Sequence, residues 1–569
     1  MTRADLDTIL LQLGDFGRFQ FANYVAISFP ILFSAIYTLT YVFTAKDLEY
    51  RCRVPECEGA AGPLGDKGLV QYLPDWLVHA VPHDGGGQPS ACHRYAPHTW
   101  NGSSVAGGCS ADLFNKEVVR CQDWVFEPGQ MNSIASEWNI TCDENKWQLS
   151  IVGTVNNIGL FAGLPFAGFW SDRYGRKSLL FYSWAVTCCM GIIRSFSTNL
   201  GMMLTFEFLD AFFGAGVFSA GFILALEFVG PDKRVMAGTV LNLFYSAGQV
   251  VLGAVAWAVF DWRWMLRSIY VPGFLCLLLL WPTPESVRWL ASKGRYAEAD
   301  SIIRKVAKFN RITINEALED RVDLVQVKGE DTVKQTDAEK GLLGKSRKIS
   351  REEKSKGCLA EGSTISNLLA TFKSSRLLVR FINCSYCWMA NTFVYYGLSL
   401  NSVSMAGNDY LNFILVTLIE LPALLAQLWL MGVFGRRACL SSTMIIAGAC
   451  CISFLAIPEG YLYTRLTMFM IGKFAITISF AVVYVYTAEL FPTNVRHSLL
   501  GYCSMFGRIG SMLAPQTPLL ATINESLPLT LFAVSSIVGG FFSLFFPETK
   551  DKSLPDSIKE AEEIGNASH

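Results

Sequence analysis

The chain has 569 residues, of which 51% are hydrophobic, 13% aromatic and 17% charged, with a mean hydropathy of +0.32. That is too apolar for a water-soluble protein of this length. The net charge is −1, from 47 basic against 48 acidic residues, and the basic ones gather in short loops and not on one continuous face, which argues against a nucleic-acid surface; the apolarity makes membrane lipid the surrounding medium.

Apolar runs of the length that crosses a hydrocarbon core recur about twelve times. They lie near 22–44, 147–171, 178–198, 202–229, 235–258, 263–282, 377–398, 409–433, 438–457, 462–490, 498–521 and 526–546. The expectation is an all-α membrane protein with a twelve-span fold of two pseudo-symmetric six-helix bundles. Residues 1–21 form an N-terminal segment, 22–283 the first bundle, 284–375 a linker, 376–546 the second bundle and 547–569 a tail. The stretch DTILLQLGDFGRFQ ahead of the first run is amphipathic and lacks a small-residue cleavage site, so that run reads as a retained span.

The segment 45–146, between spans 1 and 2, carries Cys52, Cys57, Cys92, Cys109, Cys121 and Cys142 together with the sequons at Asn101 and Asn139. An even cysteine count beside sequons suits an oxidising compartment and up to three disulfides, in any of fifteen connectivities. The spacings contain no CxxC pair, so no metal site is expected there. The other ten cysteines lie in or beside spans or in the linker, where packing as small hydrophobes is the expected role.

The linker begins with ESVRWLASKGRYAEADSIIRKVAKFN, whose helical spacing and one charged face predict a surface helix. Its middle, KGEDTVKQTDAEKGLLGKSRKISREEKSKG, has the mixed-charge composition of a disordered bridge.

Short charged motifs at the span ends occur twice. Glu227 and Arg234 return 262 positions later as Glu489 and Arg496, Arg176 returns after 260 as Arg436, and Glu285 returns after 263 as Glu548. Arg288 follows the first Pro-Glu pair, and Asp172 and Arg173 precede Arg176, whereas Gly435-Arg436 has no aspartate before it. A bundle repeated in this way is the usual architecture of a secondary transporter. The charges read either as ordinary juxtamembrane residues that orient the chain or as a cytoplasmic gate whose ion pairs break as the halves rock. Basic residues place these loops, and both termini, in the cytoplasm.

Ionisable residues within spans are few: Arg508 near the middle of span 11, Lys473 in span 10, Glu207 and Asp210 in span 4, Glu420 in span 8 and Arg194 at the end of span 3. A mid-membrane arginine needs a partner, a cavity or a substrate, and Glu207 and Glu420 are the candidate counter-ions for Arg508 or Lys473. Trp388, Tyr395, Tyr396, Tyr37, Tyr41, Tyr245 and Tyr484 recur at helical spacings, as core packing or as a cage for an ammonium group. Asn156, Asn157 and Asn242 add neutral polar groups to the same candidate cavity. No histidine falls in a span, which argues against a histidine proton relay, while sodium or carboxylate-based coupling stays open. No glycine-rich phosphate loop, HExxH or nucleophile elbow at a membrane face suggests an enzyme, and no cofactor is implied.

GFWSDRYGRK, PESVRWL, AELFPTNVR and PETKDKSLPDSIKEAEE, in that order, together resemble the organic cation, carnitine and organic anion transporter family of the major facilitator superfamily. The opening DFGRFQ and the long cysteine-rich loop also resemble that family and differ from the sugar porters. The resemblance implies a plasma-membrane transporter working by alternating access on a small-molecule substrate as a monomer. It also implies that arginine at the Arg508 position marks the anion and carnitine-type members, where the cation transporters carry a carboxylate. The span-ten sequence GKFAITISFAVVYVYTAELFPT is most similar to the carnitine and zwitterion subgroup, which includes insect transporters of β-alanine and carcinine. The expected substrate is therefore a small zwitterion; an organic anion, an organic cation and a non-transporting sensor of substrate are the alternatives. If the loop 45–146 faces outward, glycosidase treatment of the cell-expressed protein will increase its gel mobility, and Asn101→Gln with Asn139→Gln will remove that shift. Unchanged mobility of the untreated and treated protein would reject both the modification and the orientation.

Overall fold

The computed structural model describes residues 16–58, 71–83, 89–98, 109–230, 233–312 and 371–564, apart from positions 406, 459, 493–494, 551, 553–554 and 556–557. Asn101, residues 1–15 and the polar middle of the linker lie outside the described residues.

Twelve spans cross the molecule. In the first half they run Arg18–Thr44, with a break at Thr40, Trp147–Tyr174, Arg176–Arg194, Leu200–Phe228, Arg234–Ala258 and Trp262–Leu280. In the second they run Ser375–Asn401, Asp409–Phe434, Arg436–Ala456, Leu462–Leu490, the helix Arg496–Leu513 continued by two short turns to Ala521, and Leu527–Ser543. Eight of these are long and apolar enough to cross a membrane on composition alone. Spans 3, 7 and 11 fall short because polar side chains take up part of each helix; in span 7 Ser385, Asn391, Thr392 and Ser399 are all buried. Span 12 falls short by length, with 17 residues.

Prolines set the breaks. Pro422 has no N–H to offer the carbonyl of Leu418, and span 8 divides there into Asp409–Leu418 and Glu420–Phe434, with Glu420 opening the second piece. Pro515 and Pro518 end the regular part of span 11 in the same way. The turns between spans 2 and 3 and between spans 8 and 9 are each a single glycine, Gly175 at φ +108° and Gly435 at φ +83°. A side chain there would be strained and would also overlap Glu285 or Glu548, so glycine is required on two counts.

The linker opens with two helices, Val287–Ser292 and Tyr296–Asn310, where the periodicity predicts one. Gly294 at φ +73° makes the turn between them. The second helix packs Ile303, Val306 and Ala307 against Phe19 at the start of span 1.

The loop after span 1 is a small disulfide-bonded module. Strand β1 (Tyr50–Cys52) pairs with β4 (Trp124–Phe126), and β2 (His93–Pro97) with β3 (Phe114–Arg120), both antiparallel. Of the fifteen connectivities the fold selects Cys52–Cys121, Cys57–Cys109 and Cys92–Cys142. Arg51, in β1, is buried within this module and pairs with Glu58 at 2.5 Å. The sequon residue Asn139 is exposed, in the left-handed region at φ +51°. Cys52–Cys121 spans 69 residues, so loop-closure entropy assigns it roughly 4 kcal/mol of this module's stability. Cys52→Ala with Cys121→Ala is therefore expected to make the loop protease-sensitive in intact cells; resistance equal to the unsubstituted protein would refute this.

Candidate functional site

Charged residues at the end of the molecule that carries both termini form two matching clusters. In the first, Arg176 lies 3.9 Å from Glu227 and 3.2 Å from Asp172, and Glu285 accepts the backbone N–H groups of Arg176 and Lys177 at 3.0 and 3.1 Å. In the second, Arg436 lies 3.1 Å from Glu489, and Glu548 accepts the N–H groups of Arg436 and Arg437 at 2.9 and 3.0 Å. Each glutamate thus occupies a helix N-terminus, where unpaired donors favour an anion. Thr549 donates to Glu489 at 2.5 Å, and Ser286, its counterpart, bonds Glu227. Arg234 and Arg496 donate to the carbonyls of Val229 and Phe491 five residues before them. Arg288 is an electrostatic neighbour of Glu227, and Arg173 lies over the rings of Phe169 and Tyr174. These pairs join helices within one half.

The halves meet instead toward the end that carries the cysteine-rich loop. Lys46 pairs with Asp409 across them. Gln516 donates to Thr154 at 2.6 Å, and Phe43 packs on Tyr410 and Phe413. Deeper in the bundle, Lys473 of span 10 pairs with Glu420 of span 8 at 2.9 Å, both fully buried. Ser246 and Gln249 of span 5 donate to the other Glu420 oxygen at 2.9 and 3.3 Å, so this pair also ties the first half to the second. Lys473 further donates to Ser399 at 2.7 Å and sits 3.4 Å from the centroid of the Tyr395 ring.

That geometry decides between the candidate counter-ions. Glu420 belongs to Lys473. Glu207 belongs to Arg194, with Asn156 donating to its second oxygen at 2.8 Å. Neither reaches Arg508, which has no carboxylate within ion-pair distance among the described residues. Arg508 is partly buried and lies within electrostatic reach of Tyr245 of span 5 and Tyr484 of span 10. Tyr396 is a shared neighbour of Tyr41, Tyr245 and Tyr484, so spans 1, 5, 7, 10 and 11 all contribute to one central cluster. Trp388 meets Tyr484 edge-on at 4.2 Å.

Several expected residues fall elsewhere. The Tyr395 ring faces the protein's own ammonium at Lys473 and stacks on Phe480 at 5.2 Å, so it does not offer a free face. Asn156 belongs to the Arg194 cluster, Asn157 bonds the Gly153 carbonyl at 2.9 Å, and Asn242 is half-buried on span 5. Ser246, Gln249 and Phe480 were not singled out by sequence. Asn242, Ser246 and Gln249 share one helical stripe, a pattern from which the last two were legible; Phe480 is one of many phenylalanines and carries no such mark.

Two related six-span halves, with matching ion pairs at corresponding helix ends, define a secondary transporter of the major facilitator type. A family model described as sugar (and other) transporter matches residues 125–558. The chain is 30% identical to human organic cation/carnitine transporter 2, covering 99% of this chain and 95% of that protein. It is 30% identical to mouse solute carrier family 22 member 4 (98% and 95% covered) and 31% identical to the organic cation transporter-like protein of Drosophila melanogaster (98% and 93%). The partially occluded inward-open xylose transporter of E. coli shares the fold, with a TM-score of 0.58 at 15% identity over 94% of this chain and 100% of that one. The chain belongs to the organic cation, carnitine and organic anion transporter family of the major facilitator superfamily: it is a multi-pass membrane transporter of small molecules and not an enzyme.

Removing one member of the Lys473–Glu420 pair leaves a buried charge without compensation. Lys473→Met or Glu420→Leu is expected to cost about 3–5 kcal/mol, and the double variant should recover part of that loss. Thermal melting of the purified full-length variants measures it; strictly additive losses would mean that the two charges are not coupled.

Proposed function

We propose that the protein carries a small amino-acid-like zwitterion, of the β-alanine, carnitine or carcinine type, across the plasma membrane by alternating access. The observation that carries this reading is Arg508, a partly buried guanidinium among the tyrosines of both halves, while the fully buried span cations Arg194 and Lys473 already have their carboxylates. A guanidinium in low dielectric binds a carboxylate through two parallel hydrogen bonds, and a substrate is the available source of one. The ammonium end would lie against the Tyr245, Tyr396 and Tyr484 rings. Glu420 is committed to Lys473, so it is not free to meet a plain organic cation.

The two clusters at Arg176 and Arg436 serve as the gate. In this reading each holds its own half rigid, and the halves separate or close at that end as units. Both termini are cytoplasmic, the cysteine-rich loop is outside and glycosylated, and the transporter acts as a monomer, with sodium and a carboxylate-borne proton as the two candidate coupling ions. A relative named for carnitine supports the substrate class, whereas one named for organic cations alone favours the organic-cation alternative.

Radiolabelled uptake into cells with matched surface expression tests the assignment. Loss of a charged, bidentate hydrogen bond of roughly 1.5–3 kcal/mol corresponds to about a 10- to 100-fold fall in carnitine or β-alanine uptake for Arg508→Ala. Arg508→Lys should recover little of it, and Arg508→Asp should shift preference toward tetraethylammonium. Surface-expressed Arg508→Ala that carries these zwitterions at the original rate would overturn the reading. Preference for para-aminohippurate over both zwitterions would move it to an organic anion, and specific binding without uptake to a sensor.

A further inference from the structure

A stripe of apolar side chains on span 6 ends beside two ammonium groups, at the end of the molecule that carries both termini. Leu275, Leu278 and Trp281 follow at intervals of three, so they share one face, and they are 63%, 71% and 73% exposed. On a bundle of membrane spans, an exposed apolar face of this kind meets lipid chains. Where the stripe ends, Lys177 of span 3 donates from Nζ to the Trp281 carbonyl at 3.0 Å, and Phe181, one turn further along span 3, meets the Trp281 ring edge-on at 5.9 Å. Lys305, exposed on the helix Tyr296–Asn310, is an electrostatic neighbour of Lys177. The buried face of that helix packs on Phe19, so Lys305 is presented from a docked element.

The carboxylate that acts on Lys177 is Glu285, and its oxygens already accept the N–H groups of Arg176, Lys177 and Ser286. Among the described residues neither Lys177 nor Lys305 has a carboxylate within ion-pair distance, and Arg304, beside Lys305, is taken by Asp300 at 2.9 Å. Two ammonium groups against one carboxylate leave a positive charge in excess. They also repel each other, and an anion between them would remove that repulsion while accepting a charge-assisted hydrogen bond from each. The indole of Trp281 marks the level where headgroups give way to hydrocarbon.

The geometry points to a site for one anionic phospholipid, formed by Lys177, Lys305 and Trp281, with the phosphate between the two ammonium groups and an acyl chain along Leu278 and Leu275. A free phosphate would use the lysines and leave the stripe unused; the stripe runs up to the lysines, and that continuity selects a lipid. Charge selects an anionic headgroup over a choline one, which would bring a third cation to the pair. Bound there, the lipid joins the linker helix to spans 3 and 6. The site belongs to the first half alone, because the position 263 residues after Trp281 is Leu544 and the indole is not repeated. That the leaflet is the cytoplasmic one, where anionic lipids concentrate, rests on the orientation read above; the binding itself does not.

Thermal melting of the purified, delipidated full-length protein in detergent tests the site with no transport step, so its outcome leaves the substrate assignment untouched. Dioleoylphosphatidylserine is expected to raise the melting temperature saturably by roughly 2 °C or more over equal dioleoylphosphatidylcholine, because a ligand bound only to the folded state stabilises it. Lys177→Gln with Lys305→Gln should weaken half-saturation by about 30-fold, the attraction typical of two lysines near an anionic lipid, and Lys177→Arg with Lys305→Arg should keep most of it. Lys550→Gln removes a lysine that donates to the Val433 carbonyl at the same end of the molecule, and should leave the shift unchanged. If the double glutamine variant fails to fold, Lys305→Gln decides, with about a 5-fold loss expected from an exposed side chain. Equal shifts with the two lipids would overturn the site, as would a phosphatidylserine shift that survives the glutamine variants or that Lys550→Gln reduces as much. An equal shift from glycerophosphoserine or inorganic phosphate, which have no acyl chains, would overturn the lipid in favour of a free anion.

Discussion

The pairing of Lys473 with Glu420 is the interaction on which the centre of the protein depends. A charge cannot sit in hydrocarbon without compensation, and here one carboxylate compensates an ammonium from its own half while accepting Ser246 and Gln249 from the other. The same four groups therefore keep two charges dry, lock spans 8 and 10 together and dock span 5 of the opposite half. Pro422 breaks span 8 close to Glu420, which puts the carboxylate at the start of a helical segment, where it is also favoured electrostatically.

Once Glu420 is committed in this way, and Glu207 is held by Arg194, Arg508 is the interior cation left for something outside the chain. The substrate hypothesis is thus a consequence of charge accounting elsewhere in the bundle. The first half shows the complementary imbalance: Arg194 faces two carboxylates and is outnumbered.

The doubled charge clusters act on a different scale. Arg176 with Glu227 and Arg436 with Glu489 bind helix ends within each half, and Glu285 and Glu548 cap the N-termini of spans 3 and 9. Contacts between the halves include neutral ones, such as Thr154 with Gln516 and Phe43 with Phe413. Halves held together internally in this way suit a rocking motion, because rigid bodies can part at one end without losing their internal ion pairs.

Sequence alone determined the twelve spans, the two-fold repeat, the family and the short list of interior charges, because a membrane imposes a length and an apolarity that any sufficient run of residues reveals. It also put Glu227 and Glu489, and Arg176 and Arg436, at matching repeat positions, since span ends are marked by charge, while the pairing of each glutamate with its arginine came from the structure. It left the partners of the interior charges open. Whether Glu207 answers Arg508 or Arg194 depends on how spans 3, 4 and 11 are arranged around the bundle, and no local pattern carries that information. The same holds for the three disulfides, which only the pairing of β1 with β4 and β2 with β3 brings into register. Composition and periodicity act along the chain; charge pairing acts across it, and only the tertiary structure decides which side chains stand opposite one another.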